Sequence, residues 1–389
     1  MKKIIVQLGL VLAFAVAFNQ TNVYGQIENE SINTIVTAVP FLRIAPDARA
    51  GSMGDAGLAT STDANSMHFN ASKLAFAEND ISLSATYTPW LRALDLQDVY
   101  LAYLSGYKQI DKNSTVGLSL RYFSLGNIQF TDFNGMSLGS NRPNEFEIAG
   151  AYARKLSDNL ALGVSLKFIY SRLANGQYNG FDIRPGIAAG ADISATYKSD
   201  KGIFGQDDSQ LTVGAAITNL GTKITYTTDA FGEFIPTNLG VGVAYEYPID
   251  DYNSIVFAVD VNKLLVPTPD TLDTDGNGVL DHKEIGVASA IFSSFSDAPG
   301  GFGEELSELS YSVGVEYWYD RQFAIRAGYF HEDPTKGNRK YFTVGLGLKY
   351  NIFGLNFSYL VPTSNRTNPL DNTLRFSLVF DFGGMGTPQ

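Results

Sequence analysis

The chain of 389 residues is long enough for one large β-domain or two ordinary ones, and 28 Lys and Arg against 40 Asp and Glu leave a net charge of −12. Such a balance argues against nucleic acid as a partner, because neutralising phosphates takes clustered Lys and Arg. The absence of cysteine rules out a disulfide framework.

In chain order, Met1 to Gly25 reads as a secretory signal. Lys2 and Lys3 supply the positive region, Ile4 to Phe18 the apolar core, and Val23-Tyr24-Gly25 a small-ended cleavage site. No later run approaches the ~20 apolar residues of a spanning helix. Residues 26–78 read as a polar lead followed by a plug. Pro40 and Pro46 break any helix there, and Gly51, Gly54 and Gly57 allow tight turns. A flexible linker is the plainer reading, but linkers seldom carry Phe41, Leu42, Met53, Met67, Phe69 and Leu74.

From residue 79 to 384 the pattern changes to period two. Leu160, Leu162, Val164, Leu166, Phe168 and Tyr170 alternate with Ala161, Gly163, Ser165, Lys167 and Ser171, with Ile169 a misfit. The same split recurs from Leu309 to Tyr317, from Phe342 to Tyr350 and from Leu374 to Phe382. Roughly fourteen strands follow from this pattern, near 80–89, 97–107, 114–125, 144–155, 159–172, 186–198, 209–220, 237–247, 252–263, 307–319, 321–332, 339–350, 352–362 and 372–383. The expected fold is therefore all-β: an antiparallel transmembrane β-barrel with an N-terminal plug segment. An even strand count suits an outer-membrane barrel with both termini in the periplasm.

Connection lengths point the same way, since short turns alternate with long loops, as periplasmic turns alternate with extracellular loops. The turn from Ser199 to Ser209 is longer than that rule suggests. A soluble sandwich would lack the asymmetry between ends. Tyr245 with Tyr247, and Tyr317, Trp318 and Tyr319, cluster at strand ends, where amphipathic rings suit the headgroup level; ordinary β-propensity is the plainer explanation. Arg121, Lys167, Glu316, Lys349, Arg375 and Asp381 fall on the inward face. They suit a mutually paired, filled lumen better than an open conduit.

The longest loop, 264–308, contains DTDGNGVLDHKE, which fits the calcium pattern D-x-[DN]-x-[DN]-G-x5-E throughout. Asp273, Asp275 and Asn277 would supply side-chain oxygens, Val279 a carbonyl, Asp281 a ligand through water and Glu284 a bidentate carboxylate, with Gly278 at the sharp turn. Pro267 and Pro269 exclude an incoming helix, so this is a lone loop binding Ca2+ structurally, or else a solvated acidic turn. Catalytic constellations are missing: His68, His282 and His331 are the only histidines, and no Walker loop, GxGxxG or HExxH occurs. The expectation is a protein that is not an enzyme.

Arg49 to Phe76, RAGSMGDAGLATSTDANSMHFNASKLAF, is similar to the hatch of the long-chain fatty-acid transporter superfamily, with Asn70-Ala71-Ser72 at its NPA-type motif and Ser72 in place of proline. Together with AVPFLRIAPDARAGSMGDAG, ATYTPWLRAL (Ala85 to Leu94) and LRFSLVFDFGG (Leu374 to Gly384), the mature chain resembles the PorV family of the type IX secretion system of Bacteroidetes. That resemblance implies a multi-pass protein of the outer membrane, in contact with its lipid. Its implied partners are the translocon barrel, the C-terminal signal domains of secreted cargo and a surface sortase-type protease. The superfamily as a whole implies a second reading, transport of hydrophobic small molecules such as fatty acids, and a plain diffusion pore is a third.

Overall fold

The computed structural model describes residues 32–91, 96, 98–131, 134–174, 176–178, 181–203, 208–227, 232–363 and 373–383. The expected signal segment at 1–25 lies outside these residues, as do Arg92 to Leu94 and Gly384 of the quoted motifs, residues 204–207 of the longer turn and residues 364–371 of a long loop.

Fourteen strands form one closed antiparallel ring. They are β1 (Ile81–Pro89), β2 (Val99–Gln109), β3 (Ser114–Leu125), β4 (Asn144–Lys155), β5 (Leu160–Arg172), β6 (Gly186–Lys198), β7 (Gln210–Gly221), β8 (Asn238–Pro248), β9 (Asn253–Leu264), β10 (Ser310–Tyr319), β11 (Phe323–His331), β12 (Lys340–Tyr350), β13 (Phe353–Pro362) and β14 (Leu374–Phe382). Each strand pairs with its neighbour in sequence, and the ring closes where Ile81 meets Phe382 and Tyr87 meets Phe376. Two small hairpins, Ile128–Thr131 with Ser137–Asn141 and Gly176–Tyr178 with Phe181–Ile183, stand in the loops and have no period-two signal of their own.

Which face is buried decides where such a ring can live. Leu83, Leu104, Leu118, Leu166, Ile193, Val241, Val259, Ile325, Leu346 and Leu378 are exposed on the outside, while Ser82, Ser165, Lys167, Asp192, Asp260, Glu316, Arg326 and Arg375 are buried inside. A water-soluble protein has the reverse arrangement. A barrel in hydrocarbon has this one, since every backbone group is paired around the ring and only apolar side chains meet lipid. The chain is an outer-membrane barrel.

Two sequence expectations are refined here. Ile169 breaks the alternation because it is an inward residue in an apolar patch: it packs with Phe41, Leu42, Trp90, Leu101 and Phe123. Trp318 also points inward, with the Arg326 guanidinium carbon 5.3 Å from its ring centroid. It is a lumen residue with a cation over its face, and not part of a lipid-facing belt.

The amino-terminal lead corrects a third. The wall does begin and end at the short-turn side, where Ile81 pairs with Phe382. The lead, however, runs to the other side: Asn33 N donates to Thr335 O at 3.1 Å, and Ala38 N to Phe234 O at 2.9 Å. Phe234 belongs to the long loop after β7, and Thr335 to the connection between β11 and β12 at the same end of the barrel. Thus the plug enters from the extracellular mouth and descends through the lumen to β1, so the described amino-terminal end is not periplasmic. An even strand count governs the ends of the wall alone and says nothing about a segment threaded through it.

Candidate functional site

Residues 39–77 fill the lumen, and sequence explains how they stay folded there. Pro40–Arg43 and Ala71–Phe76 form short 3-10 helices of four and six residues, while α1 (Ala48–Gly51) and α2 (Ser66–Phe69) are one turn each. Asp47 caps α1 by accepting from Ala50 N at 2.9 Å. None of these elements is long enough to be stable alone. Their order comes from the wall.

The wall holds the plug in two ways. First, inward glycines let backbone dock on backbone. A Cβ at Gly328 would lie 2.1 Å from Gly54 N, one at Gly214 2.2 Å from Leu58 O, and one at Gly163 2.5 Å from Ser72 N. Gly54 itself has φ +67°, a left-handed conformation that suits glycine. Second, buried side chains meet the plug's polar groups. Asp260 Oδ2 accepts from Gly57 N at 2.7 Å and Leu58 N at 2.9 Å. Tyr341 donates its hydroxyl to Asp55 Oδ2 at 2.6 Å, and Arg121 donates to the carbonyls of Phe41 and Leu42 at 3.1 and 3.0 Å.

At the centre of this lining, Glu316 of β10 accepts from Arg49 Nε at 3.0 Å and Arg49 Nη2 at 2.7 Å, a two-pronged pair. The same carboxylate accepts from Arg326 Nε at 2.5 Å, and Arg49 reaches on to Ser61 O and Asp63. A carboxylate with no solvent access is tolerable only when such donors satisfy it.

The Asn70-Ala71-Ser72 triplet acts as a rivet. Asn70 Nδ2 donates to Leu58 O and to Thr196 Oγ1, both at 2.9 Å, while Asn70 Oδ1 accepts from Ser72 N at 3.1 Å. Ser72 N also donates to Ser194 Oγ at 3.0 Å, and its hydroxyl lies 2.7 Å from that of Thr196. A proline at 72 would lose the N–H that makes two of these bonds. Serine here gives the plug a polar attachment to β6.

Above the plug, the extracellular mouth opens into a mainly apolar cleft of about 450 Å3, walled by Val39, Phe123, Tyr226, Phe234, Pro267 and Pro269 among others. Beside it the long loop carries α3 (Asp281–Glu284), α4 (Val287–Ser293) and α5 (Phe302–Ser307). Ion pairs fix its base. Lys263 Nζ lies 2.9 Å from Glu305 and 2.6 Å from Glu308, and Lys336 Nζ lies 2.5 Å from Glu304 and 3.1 Å from Glu308. In the neighbouring loop, burial alone would raise the Glu332 carboxyl, but hydrogen bonds and charge from Arg339, with Arg43 beside it, hold it below the ordinary range.

The calcium-type residues sit at the exposed tip. Asp273 accepts from Asn277 N at 3.1 Å and Gly278 N at 3.0 Å, and the Asn277 amide donates to Asp275 at 2.9 Å and Glu284 at 2.8 Å. These four side chains therefore converge. Val279 N donates to Asn277 Oδ1 at 2.7 Å, while Asp281 turns aside and accepts from Thr274 N at 2.9 Å and from the Thr274 hydroxyl. Gly278 has φ +83°, as the sharp turn requires. Among the described residues no group of three or more His, Asp or Glu side chains stands ready to hold a metal.

Residues 27–271 match the family model described as type IX secretion system protein PorV. The chain belongs to the PorV family. That match stops two residues short of Asp273, so the calcium-type tip falls outside the family's matched span. No curated protein matches the chain. Among solved structures, the monoaromatic hydrocarbon channel CymD is 12% identical over 88% of this chain and 99% of its own, at a TM-score of 0.50. The Pseudomonas putida toluene transporter TodX is 12% identical over 88% and 99%, at 0.49, and a Pseudomonas aeruginosa FadL homologue 11% identical over 90% and 100%, at 0.44. At 12% identity the likeness to CymD is one of fold alone.

Sequence reasoning missed Asp260, Arg326, Asp55 and Tyr341 as plug-holding groups. Asp260 was discoverable: it is a carboxylate at an inward position of the apolar run Ile255 to Val261. Replacing Glu316 with Gln leaves the buried Arg326 guanidinium without its charge partner and Arg49 with Asp63 alone. We expect a loss of about 3–5 kcal/mol, read as a lower midpoint of heat-modifiable migration and as faster protease cleavage within residues 48–63. An unchanged midpoint and an uncut plug would show that the ion pairs do not hold it.

Proposed function

We propose that this member of the PorV family is a non-enzymatic component of the type IX secretion system that binds the C-terminal signal domains of secreted cargo at the translocon and passes them to a surface sortase-type protease. The observation that carries the reading is the plug. It is fastened to the wall by backbone docking and buried charge along its whole length, so the lumen offers no conduit. What is left to meet a partner is the extracellular rim, and its largest part is the long loop at 265–309. Family membership supports the secretion assignment, and the ordered base of that loop supports its use as a contact surface.

Replacing residues 268–304 with a short turn should leave the barrel heat-modifiable and inserted while abolishing surface delivery of cargo. Normal delivery by this variant would remove the long loop from the mechanism.

The second reading, uptake of a small hydrophobic molecule, draws on the apolar cleft at the mouth. It requires a way onward through or beside residues 39–77. Gentle detergent extraction separates the two: co-purifying proteins support the shuttle, whereas a stoichiometric lipid with no protein partner supports uptake.

We also propose that Asp273, Asp275, Asn277, Val279, Asp281 and Glu284 hold Ca2+ at the tip. Binding would rotate Asp281 away from Thr274 and displace the Asn277 amide. As a single extracellular loop it should bind with a dissociation constant of about 0.1–1 mM. Calorimetric titration should show a heat that Glu284→Gln abolishes; equal heats in both proteins would contradict a site here.

A further inference from the structure

The long loop packs partly at the mouth, where Ala290 of α4 meets Ile35 and Phe234 and Glu304 of α5 meets Asn33 and Lys336. Its α5 also reaches the outside of the wall. Lys263 sits on the outward side of β9, in register with Leu239 and two residues beyond Val261. Its ammonium is buried against Glu305 and Glu308, so α5 is pinned against the outside of the wall near the extracellular end. Between them lies a groove of about 250 Å3, with Leu239, Val241, Val261 and Leu309 on the wall side and Phe295, Phe302 and Leu306 on the loop side.

Three observations say what covers it. The floor is continuous with the lipid-facing band, since Val241, Val243 and Val259 follow one another down the outward face of β8 and β9. The depth is right: β8 has 11 residues, and at about 3.3 Å per residue and a tilt of about 40° it rises about 28 Å, hardly more than the apolar band of about 25 Å. Val241 therefore lies within hydrocarbon. The loop side is apolar and exposed as a cluster, with Phe302 77%, Phe295 50% and Leu306 49% accessible. Scattered apolar residues are ordinary on any surface, but a contiguous patch beside a membrane is a contact.

We propose that this groove seats an acyl chain of an outer-leaflet membrane lipid, which makes α5 and Phe295 an interfacial anchor for the long loop. The ion pairs of Lys263 hold the groove open before lipid arrives. Aromatic and aliphatic side chains at the headgroup boundary supply the affinity. The inference needs the barrel to lie in a membrane and does not depend on cargo binding.

The chain has no cysteine, so a single one can be labelled. Phe302→Cys carrying an environment-sensitive fluorophore, in the full-length protein reconstituted in phosphatidylcholine vesicles, is compared with Leu166→Cys on the lipid-facing wall and Lys112→Cys in a periplasmic turn. Lipid brominated along its acyl chains should quench the label at 302 as fully as the one at 166, and aqueous iodide should quench only the one at 112. Adding Val261→Trp, which fills the groove from the wall side, should reduce the bromine quenching at 302. Iodide quenching at 302 would overturn the proposal, as would protection from both quenchers, which would mean a protein surface such as a second copy covers it. Bromine quenching untouched by Val261→Trp would place the lipid elsewhere and overturn the groove.

Discussion

The structure turns on Glu316, a carboxylate without solvent access held between Arg49 of the plug and Arg326 of the wall. Two charges of one sign and one of the other could not share a dry interior unless the geometry satisfied nearly every donor and acceptor. Here Ser61, Asp63 and Asn356 take up the guanidinium groups that Glu316 does not. The arrangement makes plug and wall conditional on each other. Residues 39–77 contain no element longer than six residues, and the wall would expose buried charge if they left.

Much of this was legible in sequence because a barrel strand encodes its environment at every second position. Leu160 to Tyr170 and Phe342 to Tyr350 announce hydrocarbon on one side, and Lys167 and Glu316 announce a filled interior on the other. The alternation could not say what the interior residues touch. Lys167 turns out to serve Asp192 and Asn219 within the wall, whereas Glu316 serves the plug. Nor could it say that Gly163, Gly214 and Gly328 are places where plug backbone lies on strand backbone, because glycine in a strand has several uses. The ascent of the lead to the mouth depends on tertiary contacts with no local signature, whereas the inward turn of Trp318 follows from its place two residues after Glu316 on the same face of the strand. The calcium pattern was plain in sequence, and its residues gather around Asn277, with Asp281 turned toward Thr274.

Membership of the PorV family and a lumen filled by the plug together shift attention to the rim. The wall fixes the loops at one end of the molecule. Lys263 and Lys336, with Glu304, Glu305 and Glu308, hold the base of the longest loop, and its Val266 and Ala290 pack with Ile35, Phe234 and Leu264. This order at the base leaves the exposed tip at 273–284 as the part a metal could rigidify. The interior of the barrel is given over to anchoring the plug.

The central claim is that the plug stays in place while the protein works. Ser72 and Thr196 hydroxyls lie 2.7 Å apart, so a cysteine pair at these positions brings two thiols together, and its cross-link is verified by loss of free thiol before the assay. Surface delivery of cargo by cells carrying Ser72→Cys with Thr196→Cys, measured with the pair oxidised and then reduced, tests the claim directly. Equal delivery in both states is the predicted result, and delivery that fails when oxidised and returns on reduction would contradict it.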